Sequence, residues 1–179
     1  MLVRFVMSTA RWRDMLARSP NSSGDTAVHA VDTLRYIAGE IGNFECRPMK
    51  CGTTSTCWYA INLQFESGVE GRIDVLPTAG MIDETYEFSG EGFHVSVTCP
   101  FGGKRGWSAY RNGELITEKL APSDMAEDVL NGCYDETVAF IRALRDGYAP
   151  KPSIADVVPS VGICLSIAGN RSARQQTQP

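Results

Sequence analysis

Only two histidines, His29 and His94, stand among the 179 residues, and none of the six cysteines forms a Cys-x-x-Cys pair. A zinc site needs four well-placed ligands, usually in two close pairs, so no metal centre is expected. No apolar run reaches the roughly 18 to 20 residues of a membrane-spanning helix. The opening stretch Met1 to Met7 carries Arg4 in its middle and lacks the longer apolar core of a secretion signal. Positive charge is scarce as well: 17 Lys and Arg against 21 Asp and Glu give a formal net charge of −4, with the basic residues scattered. That argues against a nucleic-acid partner, because phosphate neutralisation needs concentrated positive charge. No Gly-x-Gly-x-x-Gly opens a strand-to-helix unit, and Gly102, Gly103 and Lys104 lack the spacing of a phosphate loop. These absences describe a cytoplasmic protein, with no membrane partner, whose cysteines at 46, 51, 57, 99, 133 and 164 are buried free thiols.

What is present suits one compact domain. Apolar residues make up 43% and charged residues 21%, the balance of an ordinary globular chain. Residues 1–179 read as a single domain, with 174–179 polar enough to fray. Residues 2 to 7 suit a strand, and the turn-forming run from Ser19 to Gly24 follows. From Asp25 to Ala38, Ala27, Val31, Leu34 and Ala38 recur at helical steps, and Gly39 suits a C-terminal cap. The period then changes to two. Ile61, Leu63 and Phe65 alternate with polar residues, as do Val69, Ile73 and Val75 after the turn at Ser67 and Gly68. Tyr86 and Phe88, then Phe93, Val95, Val97 and Cys99, continue the alternation, and Asn112-Gly113 is the preferred pair for a tight hairpin. The strands predict an antiparallel meander.

A long helix is expected from Ser123 or Asp124 to Gly147, with Val129, Leu130, Cys133, Tyr134, Val138, Ile141 and Leu144 on one face. Ser153 with Asp156 opens a last helix, in which Pro159 should kink the chain. The fold class is therefore α+β, an open, mainly antiparallel sheet with helices packed on one face.

Asp25 and His29 stand four apart at the start of the first helix, within reach of each other on one face. A carboxylate beside an imidazole orients the ring and favours its protonated form, a common general acid/base arrangement. The same spacing also suits a plain structural role, with Asp25 capping the helix and His29 hydrogen-bonded or exposed. Asp32 is placed to pair with Arg35 or to close the helix face, or to meet a substrate. His94 and Trp107, on or near strands, are candidates for a pocket lining, though ordinary sheet-face positions suit them better.

The run Gly24, Asp25, His29 and Asp32, continued by Leu34, Arg35, Tyr36, Ile37, Ala38, Gly39 and Glu40, resembles the C-terminal domain of the Gfo/Idh/MocA oxidoreductases. Tyr134, Glu136, Phe140, Ile141, Gly147, Pro150, Pro152, Ile167 and Ala168 are similar to that family's closing helices. The resemblance implies a glyceraldehyde-3-phosphate dehydrogenase-like C-terminal domain. It further implies His29 as the acid/base for a substrate hydroxyl, Asp25 as its orienting or substrate-binding partner, and self-association through the open sheet face. NAD or NADP is implied for the full-length enzyme. The Rossmann half that holds it, with its Glu-Lys-Pro lysine, is absent from this chain, as Glu118 and Lys119 precede Leu120. Ala27 departs from the glycine usual between the Asp and the His, where a methyl would crowd a ligand close to the backbone.

The expected function is the C-terminal domain of an NAD(P)-dependent oxidoreductase acting on a sugar, polyol or related hydroxy compound. A small-molecule substrate, a homo-oligomer and a separate Rossmann domain are its expected partners. Two alternatives stand beside it: a non-catalytic self-associating or ligand-binding module, and a metal-dependent lyase or isomerase using Asp25, His29 and Asp32.

Overall fold

The computed structural model describes residues 1–8, 23–50, 57–76, 83–99, 105–122 and 124–175. Most of the turn-forming run before Gly24, the Gly102–Lys104 stretch, Cys51, and the last four residues of the expected tail lie outside the described residues. Eight strands form one sheet: β1 (Leu2–Ser8), β2 (Ile41–Lys50), β3 (Cys57–Phe65), β4 (Glu70–Leu76), β5 (Asp83–Gly90), β6 (Phe93–Thr98), β7 (Gly106–Arg111) and β8 (Glu114–Leu120). Among the described residues four helices accompany them: α1 (Ser23–Ala38), α2 (Glu127–Leu130), α3 (Cys133–Asp146) and α4 (Ile154–Gln175). The expected tail residues Arg174 and Gln175 thus continue α4.

The spatial order is β2-β3-β4-β1-β5-β6-β7-β8. Every pairing is antiparallel except β1 with β4, so the architecture is the expected α+β with an open, mainly antiparallel sheet. The simple meander is corrected in one respect: β1 inserts between β4 and β5 and divides the meander in two. The turns follow residue chemistry. Asn112 and Gly113 both take positive φ, 50° and 86°, as a tight hairpin with matching twist requires. Strand β2 was not foreseen; it is an edge strand, the position at which Pro48 leaves no ladder hydrogen bond unmade.

One face of the sheet carries the core. Ile61, Leu63 and Phe65 of β3, Ile73 and Val75 of β4 and Tyr86 of β5 meet Ala30, Val31, Leu34 and Ala38 of α1 and Cys164 and Ile167 of α4. The opposite face is polar. Gln64 stands directly opposite Glu70 and Asn62 opposite Arg72, and Arg72 donates to Asp74 at 2.9 and 3.0 Å. Cys46 and Cys164 are buried thiols, but Cys133 is exposed, which corrects the uniform burial expected of the cysteines.

Helix α1 and α4 are fastened by one guanidinium. Arg35 gives two hydrogen bonds to the Glu40 carboxylate, 3.0 and 2.6 Å, and a third to the Ser160 hydroxyl at 2.6 Å. Ser160, fully buried, in turn donates a hydrogen bond to Asp32 at 2.6 Å. Gly39, at φ 94°, then ends α1 with its N–H on the Arg35 carbonyl, as expected.

The expected long helix is two helices. Gly132 takes φ 80°, and the Asn131 side chain accepts the Cys133 N–H at 3.1 Å, so the first helix stops and a second starts. The stripe expected to face the core does not do so: Val129, Tyr134, Ile141 and Leu144 are exposed, and Ala143 is the buried residue of α3. Helix α4 opens as expected, with Asp156 accepting the Ser153 N–H and hydroxyl at 2.7 Å each, and runs through Pro159. No helix among the described residues is long and apolar enough to cross a membrane.

Replacing Arg35 with Met should cost about 2 kcal/mol at neutral pH, chiefly because the buried Ser160 oxygen loses its donor. A smaller part is acid-sensitive. The Arg35 hydrogen bonds hold the Glu40 carboxyl below its ordinary value of 4.5, so this stabilisation is present above that pH and lost as pH falls through the lowered value. Glu40 is largely exposed, which limits that part to about 1 kcal/mol or less. Urea unfolding of native and variant chains should show a smaller difference at pH 3 than at pH 6.

Candidate functional site

The direction of α1 follows from its ends. The Ser67 hydroxyl, in the β3–β4 turn, donates to the Ala38 carbonyl at 2.7 Å, so the helix C-terminus lies at the edge where β1 begins. Thr33 hydrogen-bonds the Tyr86 hydroxyl, and Tyr86 stands opposite Phe5 in the middle of β1. The N-terminus of α1, with Asp25 and His29, therefore points to the edge where β5 starts.

Helical periodicity fixes the rest. Ala30, Val31, Leu34 and Ala38 point into the core, Arg35 points to α4, and His29 faces outward as an exposed side chain. Neither ring nitrogen of His29 is hydrogen-bonded among the described residues. Asp25 lies in the same helix one turn earlier, and its side chain is outside the described residues. Asp32 is engaged: its Oδ1 accepts from Ser160 and lies 3.7 Å from Arg35, which makes it a helix-to-helix tie.

Strand register separates the two remaining candidates. Trp107 stands directly opposite Val97, which packs against the core, so Trp107 is on the helix-bearing face. It is 40% exposed there. His94 has the other parity. It stands opposite Ser89 and Tyr110 on the polar face, with Nδ1 2.8 Å from the Ser89 hydroxyl and its ring 6.2 Å from that of Tyr110. A shallow cavity of about 580 Å³ lies there, lined by Gly92, Phe93, His94, Tyr110, Asn112 and Gly113. The structure therefore places Asp25, His29 and Trp107 on one side of the sheet and His94 on the other.

Sequence reasoning missed a polar chain beneath α1. Tyr86, 4% exposed, donates to Glu84 at 2.9 Å and also bonds Thr33, one turn along α1 from His29. Glu84 is itself buried. The available signal was Glu84 and Tyr86 two apart, followed by Phe88: a carboxylate on a strand face otherwise read as apolar. Among the described residues, no three His, Cys, Asp or Glu side chains are grouped to hold a metal.

No protein-family model matches the sequence, and no curated protein is significantly similar to it. Solved structures do share its fold. A dehydrogenase (MviM) from Clostridium difficile superposes with a TM-score of 0.73 at 14% identity, covering 95% of this chain and 54% of that one. The aldose-aldose oxidoreductase of Caulobacter crescentus, complexed with glycerol, gives 0.71 at 16%, covering 98% and 54%. Levoglucosan dehydrogenase, in complex with NADH and levoglucosan, gives 0.71 at 15%, covering 94% and 56%. The chain spans about half the length of these structures. Its fold is the one implied by the resemblance to the Gfo/Idh/MocA C-terminal domain.

Burial first, then the neighbouring Glu84 charge, pushes the Tyr86 hydroxyl far above its ordinary value of 10.0. The folded chain keeps that proton, whereas the unfolded chain releases it above about pH 10, so Tyr86 makes stability fall as pH rises past that point. Tyr86→Phe should cost about 1 kcal/mol at pH 7 through the lost hydrogen bonds. In urea unfolding above pH 10 that cost should shrink; a constant cost would mean the hydroxyl titrates normally.

Proposed function

We propose that the chain is the substrate-binding half of an NAD(P)-dependent oxidoreductase acting on a sugar, polyol or related hydroxy compound. The observation that carries this is His29: an exposed imidazole with no hydrogen bond from the described residues, one turn after Asp25, on a fold shared with dehydrogenases twice as long. His29 takes the proton of the substrate hydroxyl, and Asp25 orients the ring or binds the substrate. The nicotinamide, held by a separate nucleotide-binding half, supplies hydride acceptance at the same carbon. This chain has no glycine-rich phosphate cradle to hold a dinucleotide itself. Trp107 offers an aromatic face on the same side of the sheet.

The exposed apolar helices suit the docking of that other half. Ile154, Val158, Val161 and Leu165 recur at four, three and four residues along α4, a continuous stripe, with Ile154 85% exposed. Tyr134, Ile141 and Leu144 form a second stripe on α3. Patches of this kind on a soluble domain mark interaction surfaces. The polar face of the sheet, with Gln64, Asn62, Glu70, Arg72 and Asp74, suits self-association of two copies. Light scattering at tens of micromolar should return more than a monomer mass, and a monomer would remove the homo-oligomer.

The alternative is a non-catalytic module, favoured by Ala27, whose methyl stands where the resembled family has glycine. One pair of measurements separates the two. Calorimetric titration of the isolated chain should show no micromolar binding of NAD(H) or NADP(H). Fusion to a nucleotide-binding domain should restore turnover of a polyol, and His29→Ala should then remove about 100-fold of it. Turnover that survives the substitution, or none at all in the fusion, would favour the module.

A further inference from the structure

The buried pair Glu84 and Tyr86 belongs to the same side of the sheet as His29, and its level can be placed. Thr33 meets Tyr86. One turn back along α1, a rise of about 6 Å, lies His29. Two residues back along β5, about 6.7 Å in the same direction, lies Glu84. Both steps lead to the edge where β5 begins, so Glu84 stands at the level of His29, at the boundary between the half of the sheet covered by α1 and the half that no described helix covers.

The hydrogen bonds at this position run one way. The Thr33 hydroxyl bonds the Tyr86 oxygen, and Tyr86 donates to Glu84 Oε1 at 2.9 Å. Glu84, 8% exposed, takes no hydrogen bond on Oε2 from any described residue. A carboxylate oxygen left in this state in the core is costly, and a donor that arrives with a ligand removes the cost.

We propose that Glu84 is a specificity-determining residue: its Oε2 accepts a hydrogen bond from a hydroxyl of the polyhydroxylated substrate whose carbinol His29 serves. Tyr86 is the positioning residue that fixes the carboxylate. This rests on the chain being a substrate-binding half. The ligand class follows from the acceptor, since a buried carboxylate favours a hydroxyl donor and repels an anionic substituent at the same place. An acceptor in a dry site discriminates strongly against an analogue that lacks the matching donor.

The test uses the full chain, with D-glucose, levoglucosan, inositol and the monodeoxyglucose series as probes in ligand-observed NMR titrations. The native chain should bind at least one polyol at millimolar concentrations, and Glu84→Gln should weaken it about tenfold. One deoxy analogue, lacking the hydroxyl that Glu84 reads, should bind native and variant chains alike. Where Glu84→Gln does not fold, Tyr86→Phe keeps the carboxylate and removes its donor, and should blur the discrimination between sugar and that analogue. Native binding with unchanged affinities in both variants overturns the role of Glu84 and leaves the proposed function standing. No polyol binding by the native chain overturns both.

Discussion

The guanidinium of Arg35 sets the rotation of the first helix. It makes four hydrogen bonds, to Glu40, Ser160 and the Asp156 carbonyl, and its side chain is 10% exposed. With that residue turned to α4, a step of 100° per residue leaves no freedom elsewhere on α1. Val31 and Leu34 go down into the core, Thr33 goes to Tyr86, and His29 goes outward. Asp32 is drawn into the same tie through Ser160, which gives an acidic residue of the Asp-His-Asp run a structural partner while its side chain stays 42% exposed. A lysine in place of Arg35 would keep the charge but not the fork that satisfies a carboxylate and a hydroxyl together.

The sheet is finished on only one half of one face. Helices α1 and α4 cover β2 to β5 and account for the buried cluster, whereas Trp107 and the strands beyond it have no described helix above them. The apolar residues of α3 and α4 that remain exposed are regular in spacing, which a solvent-facing helix has no reason to maintain. A chain of this length has enough core to fold, as Ile61, Leu63, Ile73, Val31 and Leu34 show, yet it leaves apolar surface that a second body would bury. The shared fold with chains of about twice the length is consistent with that division of labour.

The sequence made α1 and the β3–β4 hairpin legible because each buries one face against a neighbour, so the period of the apolar residues reports the element directly. Strand β2 was hidden by Gly42 and Pro48, which break the alternation without breaking an edge strand. The break between α2 and α3 was hidden for the opposite reason: the apolar stripe continues in phase across Gly132, although the backbone there turns left-handed. That stripe also shows what periodicity cannot report, namely which body covers it. At the site, the Asp25 to His29 spacing was readable, but the parity of His94 against Trp107 was not. They lie on adjacent strands joined by a loop, and a residue more or less in such a loop exchanges the faces of everything beyond it.

Glu84 is the residue for which fold stability alone gives the least reason. The position faces the core beside Tyr86, on the strand where Phe88 packs against the same cluster, and an apolar side chain there would avoid the desolvation of a carboxylate. Tyr86 relieves one oxygen and Thr33 in turn relieves Tyr86, so two further polar groups are withdrawn from water to keep one acid in place. Such a chain holds its members to one geometry, because each hydrogen bond fixes the orientation of the next. On the proposed reading, a fixed acceptor at the level of His29 is what a site needs in order to present one hydroxyl of a symmetric-looking polyol, and not its neighbour, to the imidazole. On that reading the cost in stability has a return in orientation, the pattern expected where a local rule of burial is broken at a functional position.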